Sequence, residues 1–235
     1  MKLIKNFIAL VLITGTTQTF AKSIASIEDR HLTGFHAVNV SGSFDVIITQ
    51  GSTESVKVEA PADVIREVLT EVKGGTLNIH NKDHVSWGNI FGNKKVVVYV
   101  SIREVTGVSL TGSGDVSFKG GINANNLRIQ LTGSGDLGGK VNTKYLEGSV
   151  TGSGDVKLSG HADDQRVSVT GSGDYTAGDL TTTNTIVSVG GSGDASVNAS
   201  ESIKASVTGS GDIHYSGHPK NVAKSKTGSG DINGH

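Results

Sequence analysis

The sequence predicts an all-β fold, a single-stranded, right-handed parallel β-helix (solenoid) of about 19 to 20 residues per coil, with one short helix in its N-terminal half. Three observations predict it. The tetrapeptide Gly-Ser-Gly-Asp occurs seven times, ending at Asp115, Asp136, Asp155, Asp174, Asp194, Asp212 and Asp231, with successive copies 21, 19, 19, 20, 18 and 19 residues apart. Apolar and polar residues alternate on both sides of each copy, the period-two signature of strands. A fixed repeat of this length marks units that cannot bury their own apolar face and must stack on their neighbours. Right-handedness follows from the strong preference of crossovers between parallel strands.

Residues 1–21 open with Lys2 and Lys5, continue through an apolar stretch from Phe7 to Ile13 and end at Ala21, with Thr19 at the third position before the expected cut. This is the pattern of a secretory signal peptide, and its apolar run is too short to span a bilayer. Residues 22–30 read as a linker. Residues 31–104 read as irregular β-coils, with strand-like runs at Phe35 to Val40, Asp45 to Thr49, Ser55 to Glu59, Thr76 to His80 and Lys95 to Ser101. Ser41-Gly42-Ser43-Phe44-Asp45, followed by Val46, looks like a worn first copy of the motif. One helix is expected after Pro61, because Val64, Ile65, Val68, Leu69 and Val72 show helical spacing up to the stop at Gly74-Gly75. From Lys82 to Asn93 a loop is expected, carrying the chain's one Trp, Trp87, beside Ile90 and Phe91. Those aromatics either cover an open end of the core or form a sugar-stacking or partner-binding patch.

Residues 105–235 are the regular coils. In the copy ending at Asp155, the residues Leu146, Gly148, Val150, Gly152, Gly154, Val156 and Leu158 share one parity and face inward. Thr151, Ser153 and Asp155 face outward. Coils about 4.8 Å apart align these outward residues into ladders of Thr, Ser and Asp. The glycines mark a corner with no room for a Cβ. In the final copy Lys224 and Lys226 take positions that hold apolar residues or Gly in the other coils, and Pro219 precedes them. This coil reads as a polar cap on an otherwise adhesive end.

Composition narrows the function. There is no cysteine, so neither a disulfide framework nor a lipidated Cys is available. Loss of Lys2 and Lys5 with the signal peptide leaves 19 basic against 22 acidic residues, a net charge of −3. Nucleic acid is therefore not an expected partner. After the signal peptide no stretch is long and apolar enough for a transmembrane segment.

The Asp ladder is the strongest candidate for chemistry. Unit charges 4.8 Å apart repel by about 1 kcal/mol per pair in water. Something must offset this. One answer is that each Asp accepts hydrogen bonds from the amides of its own Gly-rich turn; the other is bridging by a divalent cation. The motif is like a calcium-binding nonapeptide repeat, but those recur about every nine residues and these about every nineteen, so no metal or other cofactor is expected. His80 and His84 have a spacing that suits a metal only on a helix. Asp163, Asp164 and Glu201 read as solvated surface, and no pair of acids stands out as glycosidase machinery. The candidate ligand-binding residues are thus Asp115, Asp136, Asp155, Asp174, Asp194, Asp212, Asp231 and Trp87, with no catalytic residue.

The signal peptide, the strand Phe35-His36-Ala37-Val38-Asn39-Val40 leading into Ser41-Gly42-Ser43-Phe44-Asp45-Val46, and the tandem Thr-Gly-Ser-Gly-Asp coils together resemble the head GIN domain family of putative auto-transporter adhesins. The resemblance covers about residues 31–235 and implies a β-helix body exported to the bacterial envelope. It carries over no catalytic residue. No run of membrane-type strands follows the last coil, so attachment is expected through another protein, lipid or glycan. The expected function is an exported, adhesin-like, non-catalytic binding or structural element that is periplasmic, surface-associated or secreted. Its partners would be an envelope polysaccharide or a surface protein. The competing expectation is a carbohydrate-active β-helix enzyme, a glycosidase or lyase.

Overall fold

A computed structural model describes residues 25–82 and 94–235. These residues form one 16-stranded sheet wound into a parallel β-solenoid. In the regular part the strand runs around most of each coil. β9 (Asp115–Gly133), β10 (Asp136–Gly152), β11 (Val156–Gly171), β12 (Tyr175–Gly191) and β13 (Ala195–Gly209) each stack in parallel on the next. The stack ends in β14 (Ile213–Ser216), β15 (Asn221–Gly228) and β16 (Ile232–Gly234), with β14 and β15 paired to β13 and β16 to β14. Each of these strands breaks off at the tetrapeptide, so it is a corner that closes each coil.

The alternation read from sequence is the core. Leu110, Leu131, Val150, Val169, Val189 and Val207 stack in one fully buried column before the corner. Leu137, Val156, Tyr175, Ala195 and Ile213 make a second column after it. Full burial of a Val or Leu side chain contributes roughly 1.5–3 kcal/mol, and these columns are continuous from coil to coil.

Coil lengths differ, yet the corner never loses register. The two extra residues of the coil after Asp115 are absorbed between Phe118 and Ile122, where Gly139 and Val141 of the next coil face them. The one extra residue of the coil after Asp174 is absorbed between Thr176 and Asp179, opposite Lys157 and Ser159. Insertions thus collect at the far corner, as β-bulges do at rims, and the tetrapeptides stay stacked.

The glycines explain why. The first Gly of each motif from Gly112 to Gly228 has φ between 116° and 136°, a region closed to other residues. The second, from Gly114 to Gly230, is buried. A Cβ on the second Gly would lie inside 3.0 Å of a backbone oxygen of the coil before it, such as Gly154 O beneath Gly173. What excludes a side chain is therefore the neighbouring coil, not crowding in the interior. The carbonyl of the first Gly accepts two amides of the next copy: Gly152 O takes Ser172 N–H at 2.8 Å and Gly173 N–H at 3.0 Å.

The N-terminal half extends the same core in a different order. β2 (Ala37–Gly42) and β3 (Asp45–Gln50) are joined by the worn copy and form a coil directly beneath β8 (Gly107–Gly112) and β9. Phe44, in the place of the second Gly, is fully buried. The coil beneath that one is made by later residues, β6 (Thr76–Asn81) under β2 and β7 (Val97–Ile102) under β3. Antiparallel strands then close the end: β5 (Val68–Lys73) on β6, β4 (Ser55–Pro61) on β7, and β1 (Ala25–Asp29), within the stretch read as a linker, on β4.

The expected helix does not form. Ile65–Glu67 make a single 3-10 turn and Val68–Lys73 continue as β5. Gly74 and Gly75, both at positive φ (57° and 76°), are the two-residue turn of a β-hairpin rather than a helix stop. The β-branched Val68, Thr70 and Val72 suit the pleat, and the free edge of β6 offers pairing that an isolated short helix lacks. The signal peptide and most of the loop expected from Lys82 to Asn93, Trp87 included, lie outside the described residues.

Candidate functional site

The seven Asp residues of the motif form one outward column along the stack, each exposed or half-buried. The expectation that each carboxylate accepts amides of its own Gly-rich turn does not hold: each before the last reaches forward to the amide of the next coil. Asp136 N–H donates to Asp115 Oδ1 at 3.3 Å and Asp155 N–H to Asp136 Oδ1 at 3.4 Å. The steps at Asp174, Asp194, Asp212 and Asp231 shorten to 2.9, 2.8, 2.7 and 2.7 Å. Each carboxylate before the last thus sits on an oriented backbone dipole where the neighbouring charge would otherwise push the coils apart. A bond from an amide to a charged acceptor is among the stronger kinds.

A lysine closes each end of the column. Lys95 bonds Asp45, the Asp of the worn copy, at 2.8 Å, and this partner, with Asp115 nearby, raises the Lys95 pKa. At the other end Asp231, in the last described coil, bonds Lys226, which holds its carboxyl below the usual range. The Thr ladder beside the Asp column is broken once, where Gly190 stands between Thr170 and Thr208. Of the histidine pair, His80 lies 3.5 Å from Glu71, and His84 lies outside the described residues.

A second feature was not singled out from sequence. On another side of the solenoid a trough of about 570 Å³ runs along four successive coils, from Asn126 to Ile186. Its floor is the strip of backbone carrying the inward residues Leu127, Leu146 and Gln165. Its walls are two rows of outward side chains, one containing Tyr145 and Asp164 and the other Arg128, Glu147, Arg166 and Ile186. Arg128 donates to Glu147 at 2.7 Å, and Asn184 donates to Asp164 at 2.9 Å. Arg166 and the Tyr145 hydroxyl have no hydrogen-bond partner among the described residues, and Tyr145 is 60% exposed. The second wall stands eight residues before each Asp. That offset was legible in the repeat alignment, but its residues differ from coil to coil, and attention to what recurs passes over them.

Stacked coils joined by a Gly-Ser-Gly-Asp corner, with an ordered acidic column outside, define a parallel β-solenoid protein. The family model described as "Putative auto-transporter adhesin, head GIN domain" matches residues 34–219, and the chain belongs to that family. A putative adhesin from Bacteroides fragilis NCTC 9343 has a similar structure, with a TM-score of 0.83 and 28% identity over 90% of this chain and 97% of that one. A putative lipid binding protein from Parabacteroides distasonis ATCC 8503 (TM-score 0.74, 24% identity, 91% and 98% covered) shares the fold. So does a putative adhesin from Parabacteroides merdae ATCC 43184 (0.70, 19%, 91% and 97%). No curated protein matches the chain in sequence.

Proposed function

We propose that this chain is an exported, adhesin-like β-solenoid that serves as a non-catalytic binding or structural element of the bacterial cell envelope. The observation that carries the reading is the commitment of the acidic groups. Each motif carboxylate before the last holds the amide of the next coil, and the last is paired with Lys226. A general acid or a nucleophile needs a carboxyl free to exchange a proton or attack, in a site that perturbs it. These are instead fastened into the stack. The acids of the trough are likewise engaged, Glu147 by Arg128 and Asp164 by Asn184. A long, regular, polar face on a stiff body suits contact with an extended surface. Family membership and the likeness to the Bacteroides fragilis putative adhesin support the same reading. Among the described residues no helix is long and apolar enough to cross a membrane.

The test is capture. The tagged chain, incubated with solubilised envelope from a bacterium of the Bacteroides type, should retain a reproducible polysaccharide or surface protein that a scrambled-surface control does not. Retention of nothing, together with turnover of envelope polysaccharide by the purified chain, would overturn the proposal in favour of a carbohydrate-active enzyme.

A further inference from the structure

We propose that the lateral trough is a binding site for an extended oligosaccharide, with the Tyr145 ring as its stacking platform and Arg166 as its principal free donor. The inference rests on the reading of the chain as a binding element and locates the contact away from the Asp column. Four points carry it. Four coils at about 4.8 Å give the trough a length of about 14 Å, enough for a short run of sugar rings and too long for a single small metabolite. The volume, about 570 Å³, falls in the range of ligand sites. Tyr145 and Ile186 are two of the few exposed large apolar residues among those described, and both stand in its walls. Around them lie planar polar groups of both kinds, Arg128 and Arg166 as donors and Glu147 and Asp164 as acceptors, which match the mixed donor and acceptor character of sugar hydroxyls.

The alternatives fit less well. An extended peptide gains affinity by adding to an open strand edge, but β10 and β11, which floor most of the trough, are paired on both sides, and β9 lacks a second partner there only at Asn126 and Leu127. Its main-chain polar groups would find at most two residues of ladder to join. An acyl chain would have to lie between four charged side chains in a trough open to water, at the cost of their desolvation. A polyol chain satisfies the walls and needs no edge.

The site contains both an unpaired cation and tied acids, so its preference follows from Arg166. Hexuronate-bearing chains should bind more tightly than neutral ones, because a carboxylate matches a free guanidinium fork.

The experiment is a glycan microarray carrying β-linked hexose, hexosamine and hexuronate oligomers from disaccharide to hexasaccharide, read with the whole chain and with Tyr145→Ala, Arg166→Ala and, on another face, Lys157→Ala. Both trough side chains are free of partners, so the variants should keep the thermal unfolding midpoint of the parent. Binding that grows with oligomer length and falls on the order of tenfold in each trough variant, but not in Lys157→Ala, is the expected result. Binding unchanged in all three variants overturns the trough assignment and leaves the binding-element reading standing. Envelope capture of a protein, without binding of any oligosaccharide, overturns it as well. Failure of both array and capture removes this inference together with the binding half of the reading beneath it, and leaves a structural element.

Discussion

At the scale of single residues, the glycines of the corner hold the register of the solenoid. Gly173 is buried, and a methyl group there would collide with Gly154 O of the preceding coil. That neighbour is backbone of the preceding corner, itself held by Gly154 N–H on Gly133 O at 3.0 Å, so relief requires moving a whole coil. Gly173→Ala should therefore destabilise the fold by about 1–3 kcal/mol, the range of an overpacked core. Gly178 makes the matched control, since nothing lies within 4 Å of the position its Cβ would take and its φ is not in the left-handed region. Gly178→Ala should be neutral or stabilising by up to about 1 kcal/mol through the unfolded chain. Urea unfolding of the two variants checks this, and equal losses would mean that inter-coil contact is not what excludes the side chain. Sequence parity foretold that Gly154 and its equivalents point away from solvent. It could not say whether the interior or the next coil was the obstacle, because spacing between coils is not a property of one coil. The direction in which each Asp carboxylate turns was hidden for the same reason.

At the scale of elements, one set of coils departs from the apolar pattern in a concerted way. Gly148 sits at an inward position that holds Ile129 and Val167 in the flanking coils. The space is filled by the ring of Tyr175, whose Cε2 would be 2.9 Å from a Cβ at Gly148. The buried phenol accepts a hydrogen bond from Gln165 Nε2 at 2.7 Å. Gln165 Oε1 accepts from Thr185 at 3.3 Å, and Thr185 lies 2.7 Å from Thr182. Residues of β11 and β12 are thus locked to one another across the core by a satisfied polar chain, in the space that Gly148 of β10 leaves open. Tyr175→Phe would leave the Gln165 amide without this acceptor in a dry core and should cost about 1–3 kcal/mol. Burial pushes the Tyr175 hydroxyl well above its ordinary value near 10. The unfolded chain loses that proton above about pH 10 while the folded chain keeps it, so this residue's contribution to stability is present below pH 10 and falls as pH rises beyond it. Unfolding followed between pH 9 and 11 should show a steeper alkaline loss for the parent than for Tyr175→Phe, and parallel curves would refute the assignment. The alternation showed both Gly148 and Tyr175 as inward. Their compensation was not visible, because it joins positions 27 residues apart on different sides of the coil. The strand over Val68–Lys73 was missed for a related reason. Its pattern fits a helix as well as a strand, and only the free edge of β6 decides between them.

At the scale of the whole molecule, a solenoid has two ends that its own logic leaves unpaired, and this chain treats them differently. At the N-terminal end the stacking order departs from the chain order: β6 and β7 slide beneath the earlier β2 and β3, and β4, β5 and β1 then turn antiparallel. At the other end β15 remains a rung with every residue exposed. Its register continues the core columns, placing Lys224 over Ala205 and Lys226 over Val207. Lys224 donates to Ile232 O at 3.0 Å and lies 4.8 Å from the centre of the Tyr215 ring, while Lys226 holds Asp231. Two charges therefore stand where another coil would need apolar side chains, a common way of blunting a strand edge. If that is their work, Lys224→Val with Lys226→Val should turn the last rung into an adhesive continuation of the core, and the variant should associate end to end. Light scattering across a dilution series is the measure. The double variant should gain mass with concentration beyond anything the parent shows, and adding Asp231→Lys should reverse the gain by restoring charge to the same end. A double variant whose mass tracks the parent at every concentration would show that the end is protected by its twist or by backbone geometry, and that the lysines serve only to terminate the acidic column.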